Sequence, residues 1–305
     1  MDISRVARVR SFNRIVTERV GALNDHFLGR THPLGAARLL WELGAVGTDG
    51  ATGVTVADGV EIRELRGRLG LDSAYMSRLL RALEHEGLVV VDASPQDRRV
   101  RRVHLSAAGR AEHAELEQRA EAFAHDLLAP LSERQQERLE AAMAEVEQLL
   151  LASLVRIAPA DPHSADARWC LERYIAELNE RFDAGFDPAH SISAHAHELL
   201  PPAGLFLVAR LRQEPLGCGA LKFHVDGPAE LKRMWVAPQA RGLGVGRRLL
   251  EELERHAKQA GVSVLHLETN RALVEAIALY RRAGYEEVAA FNDEPYAHHW
   301  FEKCL

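Results

Sequence analysis

The segment Glu230–Tyr285 reads ELKRMWVAPQARGLGVGRRLLEELERHAKQAGVSVLHLETNRALVEAIALYRRAGY. Residues 230–236 are short and rich in apolar side chains, which predicts a β-strand, and Pro238 ends it because proline cannot donate to a sheet. A glycine turn at 239–246 leads directly into a helix. The apolar positions of this helix recur at steps of three and four residues, at Leu249, Leu253, His256 and Ala260.

The second half of the segment repeats this alternation. Gly261 stands where a helix ends in a residue of positive φ, and residues 262–267 predict a second strand. A second helix is predicted over 273–283. This succession of strands and helices is typical of an α/β sheet with helices packed on it.

The glycine turn is a predicted anion site. Glycines let the backbone approach a ligand, and the N–H groups and dipole of a helix N-terminus favour negative charge. Arg241, Arg247 and Arg248 add guanidinium donors suited to phosphate. The glycine spacing does not fit the dinucleotide fingerprint, and the lysine of a Walker loop is missing. We therefore expect the turn to bind the pyrophosphate group of a ligand, in a site that is neither a dinucleotide fingerprint nor a Walker loop.

The turn resembles the acetyl-CoA site of the GNAT N-acetyltransferase superfamily. The family signature Gln/Arg-x-x-Gly-x-Gly/Ala matches Gln239, Gly242 and Gly244. A second family element, Ala-x-x-Leu-Tyr followed by Gly-Phe/Tyr, matches Ala276, Leu279, Tyr280, Gly284 and Tyr285. The resemblance implies transfer of an acetyl group from acetyl-CoA to an amine, of a small molecule or a protein, by direct attack on the thioester. The coenzyme-binding residues it implies are Met234, Trp235, Val236, Gln239, Arg241, Gly242, Leu243, Gly244, Val245, Gly246, Arg247, Asn270 and Tyr280.

The resemblance also implies an acid and a base. Glu230 occupies the strand position of the family's glutamate base, although a structural strand carboxylate would fit it equally well. Strand alternation places Glu230 on one face with Lys232, Met234 and Val236. Tyr280 is the candidate acid for the leaving thiolate, because a phenol can donate its proton. Backbone N–H groups near residues 234–236 would polarise the carbonyl.

One residue departs from the family pattern. Leu273 stands where many GNAT sequences have an asparagine that contacts the coenzyme. Either Asn270 takes over that contact or the contact is lost.

Length and composition predict two globular domains, 1–152 and 153–305, in a chain of 305 residues. The N-terminus has no signal-peptide pattern, and no apolar run reaches the ~20 residues of a membrane span. The scattered Cys170, Cys218 and Cys304 show no metal spacing. We expect a cytoplasmic protein without a metal site or a membrane partner.

The first half contains a predicted helix–turn–helix. Residues 62–69 form a short amphipathic helix that ends at Gly70, and Asp72 or Ser73 can cap the next helix. That helix buries Met76, Leu79, Leu80 and Leu83. Its opposite face carries Ala74, Arg78, Arg81 and His85, flanked by Tyr75 and Ser77. Such side chains suit DNA, although arginines alone could simply solvate a surface helix.

A predicted hairpin follows, with strands at 88–91 and 100–105. Its tip and return strand carry Arg98, Arg99, Arg101 and Arg102. Arginines on a hairpin beside an exposed helix can reach the DNA backbone or the minor groove. The hairpin is therefore interpreted as a wing.

Residues 71–91 and 94–109 resemble the MarR family of winged-helix regulators. The match rests on LDSAYMSRLLRALEHEGLVVV and SPQDRRVRRVHLSAAG, and it covers roughly 3–152. It implies a homodimer, formed by the terminal helices, that binds a palindromic double-stranded DNA operator. The implied DNA-binding residues are Ser73, Tyr75, Ser77, Arg78, Arg81, Arg98 and Arg99.

Long helices surround the winged motif. The first is predicted over 3–28, with the stripe Phe12, Val16, Val20, Leu23 and Phe27. The second starts at Pro33, and a loop is predicted over 44–59. A third helix carries Leu116, Ala120, Phe123 and Leu127, and a fourth, after a capping box at 132–135, carries Leu139, Met143, Val146 and Leu150. Helices this long have few partners inside a small winged domain, so either they form an intramolecular bundle or, as the MarR resemblance implies and as we expect, they form a dimer.

The second half begins with a predicted strand at 154–157 and a helix at 168–182. An irregular segment, 184–202, carries His190, His195 and His197, which we interpret as loop histidines. A hairpin at 204–223 and a last strand at 298–305 complete the sheet. The predicted fold is multidomain, a mainly-α winged helix–turn–helix domain followed by an α/β (α+β) GNAT domain.

Three functions remain open from the sequence. The leading one is a regulator that is also an N-acetyltransferase. The second is a regulator whose GNAT domain senses acetyl-CoA or another ligand without turnover. The third makes the winged half a dimerisation scaffold without a DNA site.

Overall fold

The computed structural model describes residues 3–21, 27–29, 32–45, 59–94, 97–192, 194–212, 214–225 and 227–305. The chain divides into two compact units, Met1–Leu139 and Glu140–Leu305. The predicted domain boundary near residue 152 stays a prediction.

The first unit is mainly helical, as predicted. Its helices are α1 (Ile3–Arg19), α2 (Leu34–Ala45), α3 (Ile62–Leu69), α4 (Ser73–His85) and α5 (Ala107–Leu128), and α6 (Glu133–Leu154) follows. Its strands are β1 (Val60–Glu61), β2 (Val89–Ala93) and β3 (Arg101–Leu105), in the sheet order β1-β3-β2. The first strand was not predicted, because two residues show no periodicity. The predicted loop lies largely outside the described residues.

The helix–turn–helix is confirmed. Gly70 ends α3 at φ 64°, and Asp72 caps α4 by accepting a hydrogen bond from the N–H of Tyr75 at 2.8 Å. The predicted stripe of α4 is buried: Met76, Leu79, Leu80 and Leu83. Arginines therefore face outward on α4 and leave the helix surface open to a partner.

The predicted apolar stripes of α1 and α6 are exposed within this chain. Phe12 and Val16 of α1 are 44% and 38% exposed, and Met143 and Leu150 of α6 are 51% and 59% exposed. Helix α1 ends at Arg19, earlier than predicted, and Leu23 and the side chain of Phe27 lie outside the described residues. Exposed apolar stripes of this length are typical of helices that pack against another molecule.

The start of α5 depends on one glycine. Ser106 caps α5 by accepting a hydrogen bond from the N–H of Gly109 at 3.0 Å, and its hydroxyl donates to the carbonyl of Gly87 at 2.6 Å. A Cβ at Gly109 would overlap the carbonyl oxygen of Leu88. The helix can therefore lie against β2 only without a side chain at this position.

The second unit contains one seven-stranded sheet in the order β4-β5-β6-β7-β8-β10-β9. Its strands are β4 (Val155–Pro159), β5 (Gly204–Leu211), β6 (Glu214–Lys222), β7 (Ala229–Val236), β8 (Val264–Thr269), β9 (Glu286–Val288) and β10 (His299–Cys304). Its helices are α7 (Ala165–Arg181), α8 (Val245–Gln259) and α9 (Val274–Arg282). Neighbouring strands are antiparallel, except that β7 and β8 are parallel. The predicted α/β fold is confirmed.

The buried stripe of α8 differs from the prediction at its end. Leu249 and Leu253 are buried as predicted, but Leu250 and Ala257 complete the stripe. His256 is half-buried and Ala260 is exposed, because α8 ends at Gln259 and turns its later residues away from the sheet.

A β-bulge interrupts β7. Two consecutive pairings with β6 join Cys218 to Trp235 and Ala220 to Lys232, so β7 has one residue more than β6 between them. Arg233 sits there with a left-handed φ of 58°. The extra residue reverses the alternation, so the prediction that Met234 and Val236 share a face with Lys232 is wrong. Met234 points to the α8 side, where a Cβ at Gly219 would lie 2.6 Å from its sulfur.

The irregular segment between α7 and β5 contains two short 3-10 turns, Pro188–His190 and Ala196–Leu199. None of the helices described here is long and apolar enough to cross a membrane.

We expect Gly109→Ala to destabilise the first unit by about 1–3 kcal/mol, because the new methyl group displaces the Leu88 carbonyl. Urea denaturation with hydrogen exchange of α5 measures the change. The exposed neighbour gives the control, since Ala108→Ser should change stability by roughly 0.5 kcal/mol or less. Equal effects of the two substitutions would contradict the packing argument.

Candidate functional site

The glycine turn and the start of α8 present a row of backbone donors. Gly242 and Gly244 adopt positive φ values of 86° and 71°, and α8 begins at Val245. The first N–H groups of a helix have no partner inside it. In the described chain, the N–H groups of Gly242, Gly244, Val245, Gly246 and Arg247 show no backbone acceptor. This row fits an anion such as pyrophosphate.

Arg241 is bound to a carboxylate. Its Nη2 lies 2.6 Å from both oxygens of Glu177 on α7, and Trp235 donates to the same carboxylate at 2.9 Å. Burial favours the neutral acid, but the hydrogen bonds from Arg241, Trp235 and Arg181 outweigh it and hold the pKa of Glu177 below its ordinary value. Arg241 thus fixes α7 to the turn.

The other two arginines of the turn have different surroundings. The Arg247 side chain is 70% exposed and lies 3.5 Å from Glu251, so it can turn toward a phosphate. The prediction that Arg248 adds a phosphate donor is wrong, because its guanidinium donates to the carbonyls of Ala152 and Val155 at 2.7 Å. Those bonds hold the end of α6.

Two cavities meet beside this turn. The larger, about 350 Å³, contains the turn and is called the coenzyme cleft. The smaller, about 90 Å³, lies between α7, β7 and β8 and is called the acceptor cavity. The residues that line both are Tyr174, Leu178, Met234, Leu273, Ala276 and Tyr280. A ligand in one cavity can therefore touch a ligand in the other.

The acceptor cavity opens where β7 and β8 separate. The two strands pair only at Ala229 with Leu265 and at Glu230 with His266. Beyond these pairs, Lys232 crosses the gap to the carboxylate of Glu268. Its Nζ also lies 2.7 Å from Glu230. Burial would lower the pKa of Lys232, but Glu268 and Glu230 together raise it, so the ammonium group stays charged.

The two glutamates have opposite properties. Both carboxylate oxygens of Glu230 have a partner: one lies 2.7 Å from Nζ of Lys232 and the other 2.9 Å from Nε2 of His224. In the described chain, Glu230 lines neither cavity. Burial opposes ionisation, but Lys232 and His224 lower its pKa overall. Glu268 lines the acceptor cavity, and its Oε2 is buried without a hydrogen-bond partner among the described residues. Burial raises the pKa of Glu268 against the pull of Lys232.

Tyr280 lies where the cavities join. It is 6% exposed, and burial raises the pKa of its phenol well above the ordinary value. A phenol with a raised pKa keeps its proton and can give it to a stronger base.

The remaining predicted residues have the following places. Trp235 and Val236 line the coenzyme cleft, whereas Gln239 is exposed and Leu243 is half-buried in the turn. Asn270 lines the acceptor cavity; its amide donates to the carbonyl of Tyr296 at 2.7 Å and accepts from Ala272 at 2.9 Å. Both ends of its amide are therefore used within the protein.

Sequence reasoning missed Glu268. Its position on a predicted strand gave no sign of its free oxygen, which depends on the separation of β7 and β8. One signal was available, since Glu268 follows Leu267 at the carboxyl end of a parallel strand, where α/β sites form. Among the described residues, no group of three His, Cys, Asp or Glu side chains could hold a metal ion.

In the first unit, arginines gather around α4. They line one cleft with the hydroxyls of Ser73 and Ser77; they are Arg63, Arg66, Arg81, Arg99 and Arg101. Arg78 and Arg98 are exposed outside this lining. Arg63 and Arg66 of α3 were not predicted, because a charged helix face usually only meets water.

Two predicted residues of the first unit point inward. Tyr75 is half-buried and packs on the core, with the guanidinium of Arg78 5.5 Å from its ring centre. Arg102 donates to the carbonyl of Gly59 at 2.7 Å and 3.2 Å, so its interpretation as a wing arginine open to DNA is wrong.

We expect Lys232→Met to lower the free energy of unfolding by about 3–5 kcal/mol, because it leaves two partly buried carboxylates without their cation. Chemical denaturation of the second unit checks the value. Lys258→Met, at an exposed position of α8, is the matched control and should be nearly neutral. A similar loss in both variants would contradict the assigned role of Lys232.

Comparison with known proteins identifies both halves. The GNAT acetyltransferase family model matches residues 171–285, and the MarR family model matches residues 55–100. An IAA acetyltransferase from Azospirillum brasilense is 46% identical over 124 residues, which are 40% of this chain and 76% of that protein. The N-alpha-acetyltransferase RimI of Mycobacterium tuberculosis is 31% identical over 148 residues, which are 48% of this chain and 83% of that protein.

A solved GNAT acetyltransferase from Staphylococcus aureus aligns with 49% of this chain and 98% of its own, at 18% identity and a TM-score of 0.43. The two family models match in the order MarR, then GNAT. The chain belongs to the GNAT family of N-acetyltransferases and carries a MarR-family domain ahead of its acetyltransferase domain.

Proposed function

We propose that this protein is a DNA-binding regulator that also transfers an acetyl group from acetyl-CoA to an amine. The observation that carries the enzymatic half is the junction of two cavities at Tyr280. One cavity carries the anion-binding turn, and the other is lined by Glu268, whose buried Oε2 has no hydrogen-bond partner among the described residues.

The coenzyme cleft fits acetyl-CoA. The N–H groups from Gly242 to Arg247 would hold the pyrophosphate, and Arg247 has the freedom to add a charged donor. The apolar part of the cleft, which includes Val236 and Leu279, suits the pantetheine arm. The thioester would then lie near Tyr280, at the mouth of the acceptor cavity.

Glu268 is the base in this proposal. An alkyl ammonium ion has a pKa of roughly 10 and cannot attack until it loses a proton. The carboxylate of Glu268, which lines the acceptor cavity, would accept that proton, and its raised pKa makes it a stronger base than an ordinary glutamate. Glu230, the base predicted from the sequence, instead holds Lys232 in position.

The transfer balances in protons and electrons. Glu268 takes one proton from the ammonium group, and the nitrogen lone pair forms a C–N bond to the carbonyl carbon. The C–S bond breaks, the sulfur leaves with its electron pair, and Tyr280 gives it a proton. The tyrosinate regains a proton from the new amide nitrogen, so the proton on Glu268 is the net proton released.

Backbone N–H groups at the bulge would donate hydrogen bonds to the carbonyl oxygen of the thioester. The extra residue of β7 between Lys232 and Trp235 has no partner on β6. Bulges leave backbone groups free in this way. We assign the polarisation of the thioester carbonyl to N–H groups at Met234 to Val236.

We expect Glu268→Gln and Tyr280→Phe each to lower kcat by roughly 10²- to 10⁴-fold while acetyl-CoA still binds, because each substitution removes a proton-transfer group. Thiol release against an amine panel measures turnover, and calorimetry measures binding. In the wild type, kcat/KM should rise with pH as Glu268 ionises, above the range of an ordinary glutamate, and Glu268→Gln should lose that rise.

Glu287→Gln removes an exposed carboxylate of β9 and serves as the control. Unchanged turnover in both catalytic variants would remove the assigned roles. Binding of acetyl-CoA by the wild type without turnover of any amine would instead support a sensor.

For the first unit, we propose binding of double-stranded DNA by a homodimer. The support is the arginine-lined cleft beside α4 and the exposed apolar residues of α1. Arg81, Arg99 and the hydroxyls of Ser73 and Ser77 would meet phosphates and base edges. A palindromic operator would match the two-fold symmetry of the dimer.

We expect Arg98→Ala and Arg99→Ala each to make the slope of log K against log salt concentration less steep by roughly one unit, because each removes one contact to a phosphate. Fluorescence anisotropy with duplex DNA across a salt series measures the slope. Arg255→Ala removes an arginine of α8 that pairs with Glu252 at 2.6 Å, and should leave the slope unchanged. Identical slopes for all variants would favour a dimerisation scaffold without a DNA site.

A further inference from the structure

We propose that the acceptor is a small free amino acid, bound as a zwitterion with its ammonium group at Glu268 and its carboxylate at Arg233. This inference rests on the proposed function, since it names the class of amine that reacts there. The central observation is that the acceptor cavity contains one incompletely bonded group of each charge.

Arg233 is the cationic group. Arg233 lines the acceptor cavity, and its guanidinium donates to the carbonyl of Ala194 at 3.4 Å and lies 5.9 Å from the ring centre of Tyr174. Within the described residues, no carboxylate pairs with it. A guanidinium has five N–H donors, so most of its hydrogen-bonding capacity is unused here.

The other described half-buried arginines of this unit each have a carboxylate or two carbonyls at 2.7 Å. Arg181 bonds Glu275 at 2.7 Å, Arg210 bonds Asp166 at 2.7 Å, and Arg248 bonds two carbonyls at 2.7 Å. A partly desolvated charge is costly unless a partner compensates it. An anionic group of the ligand would supply that partner to Arg233, and a carboxylate matches its planar fork with two parallel bonds.

The backbone conformation of Arg233 supports the same inference. Its φ of 58° is the left-handed region, which costs a residue with a Cβ about 1–3 kcal/mol and which glycine adopts freely. The bulge itself would be less strained with glycine. The presence of arginine therefore indicates that its side chain has a use, and the cavity is where that side chain lies.

Glu268 is the anionic group. Its Oε1 accepts from Lys232, while its buried Oε2 has no partner in the described chain. Lys232 is already shared by Glu230 and Glu268, so it is not available for a ligand carboxylate. The free oxygen of Glu268 and the free donors of Arg233 are thus the open polar positions of opposite charge.

Both groups border one residue. Arg233 and Glu268 line the acceptor cavity together with Tyr174, and the guanidinium carbon of Arg233 lies 5.9 Å from the ring centre of Tyr174. A small molecule that fills this cavity therefore borders both charged residues.

The size and walls of the cavity limit the side chain of the acceptor. The space is about 90 Å³. Aromatic rings close one side, with Phe186 and Tyr296 centred 4.9 Å apart and Phe182 beside them. A small apolar side chain would contact these rings without requiring a further polar partner.

The test compares acceptors that differ only in the carboxylate. Small apolar L-amino acids, their carboxamides and the matching amines without a carboxyl group are assayed by thiol release with the full chain. We expect kcat/KM to be roughly 10- to 100-fold higher for the acids, the range for a hydrogen bond to a charged group. Arg233→Gln and Arg233→Gly should each reduce this preference to about twofold.

Two variants are used because glycine preserves the left-handed bulge even if glutamine disturbs it. Calorimetry with acetyl-CoA should give the wild-type affinity for both, which separates loss of the acceptor contact from loss of the fold. Arg271→Gln is the control, since Arg271 is exposed and pairs with Asp183 at 3.0 Å. It should retain the preference for acids.

Each outcome decides the inference. Carboxamides or simple amines that react as well as the acids would overturn it and leave the proposed acetyl transfer intact. A preference for acids that survives both Arg233 variants would overturn the role of Arg233. Thiol release with other amines but with no member of this panel would overturn the inference alone, and release with no amine at all would overturn the proposed function as well.

Discussion

The ion pair between Lys232 and Glu268 is the interaction on which the active site depends. Strands β7 and β8 pair at one end and separate at the other, and this pair is the charged contact across the gap. The acceptor cavity lies where the strands separate, and both members of the pair line it. Glu230 completes the arrangement by holding Lys232 from the paired end. One buried lysine therefore joins the two strands and both carboxylates.

The same arrangement distributes chemical roles between two similar carboxylates. Glu230 has both oxygens engaged by cationic or polar partners and is kept ionised. Glu268 shares one oxygen with Lys232, its other oxygen is buried without a hydrogen-bond partner among the described residues, and burial raises its pKa. In the proposed reaction, environment and not residue type therefore makes Glu268 the base. The bulge on the same strand places Arg233, at a left-handed φ, in the lining of the acceptor cavity.

Much of the fold could be predicted from local patterns. The strands and helices of 230–283, the cap at Asp72 and the buried stripe of α4 follow from periodicity, glycine positions and capping chemistry. The bulge could not be predicted, because nothing in the residues 230–236 marks an extra residue against β6. The prediction of which β7 residues share a face was wrong for that reason.

The anion-binding turn could be predicted from the sequence, but the roles of the residues around the acceptor cavity could be predicted only in part. Glycine spacing and a helix start identify an anion site without tertiary information. The partners of Arg248, Arg241 and Arg102 depend on segments distant in sequence, so exposed phosphate-binding roles could not be separated from structural ones. Glu268 was missed because its free oxygen results from the separation of two strands.

The measurement that tests the central claim most directly is the titration of individual glutamate carboxyl groups by carbon-13 NMR, with Glu268→Gln and Glu230→Gln used for assignment. The account predicts that the pKa of Glu268 lies above the ordinary glutamate value and that the pKa of Glu230 lies below it. A Glu268 resonance that titrates at or below the ordinary value, with Glu230 above it, would contradict the account.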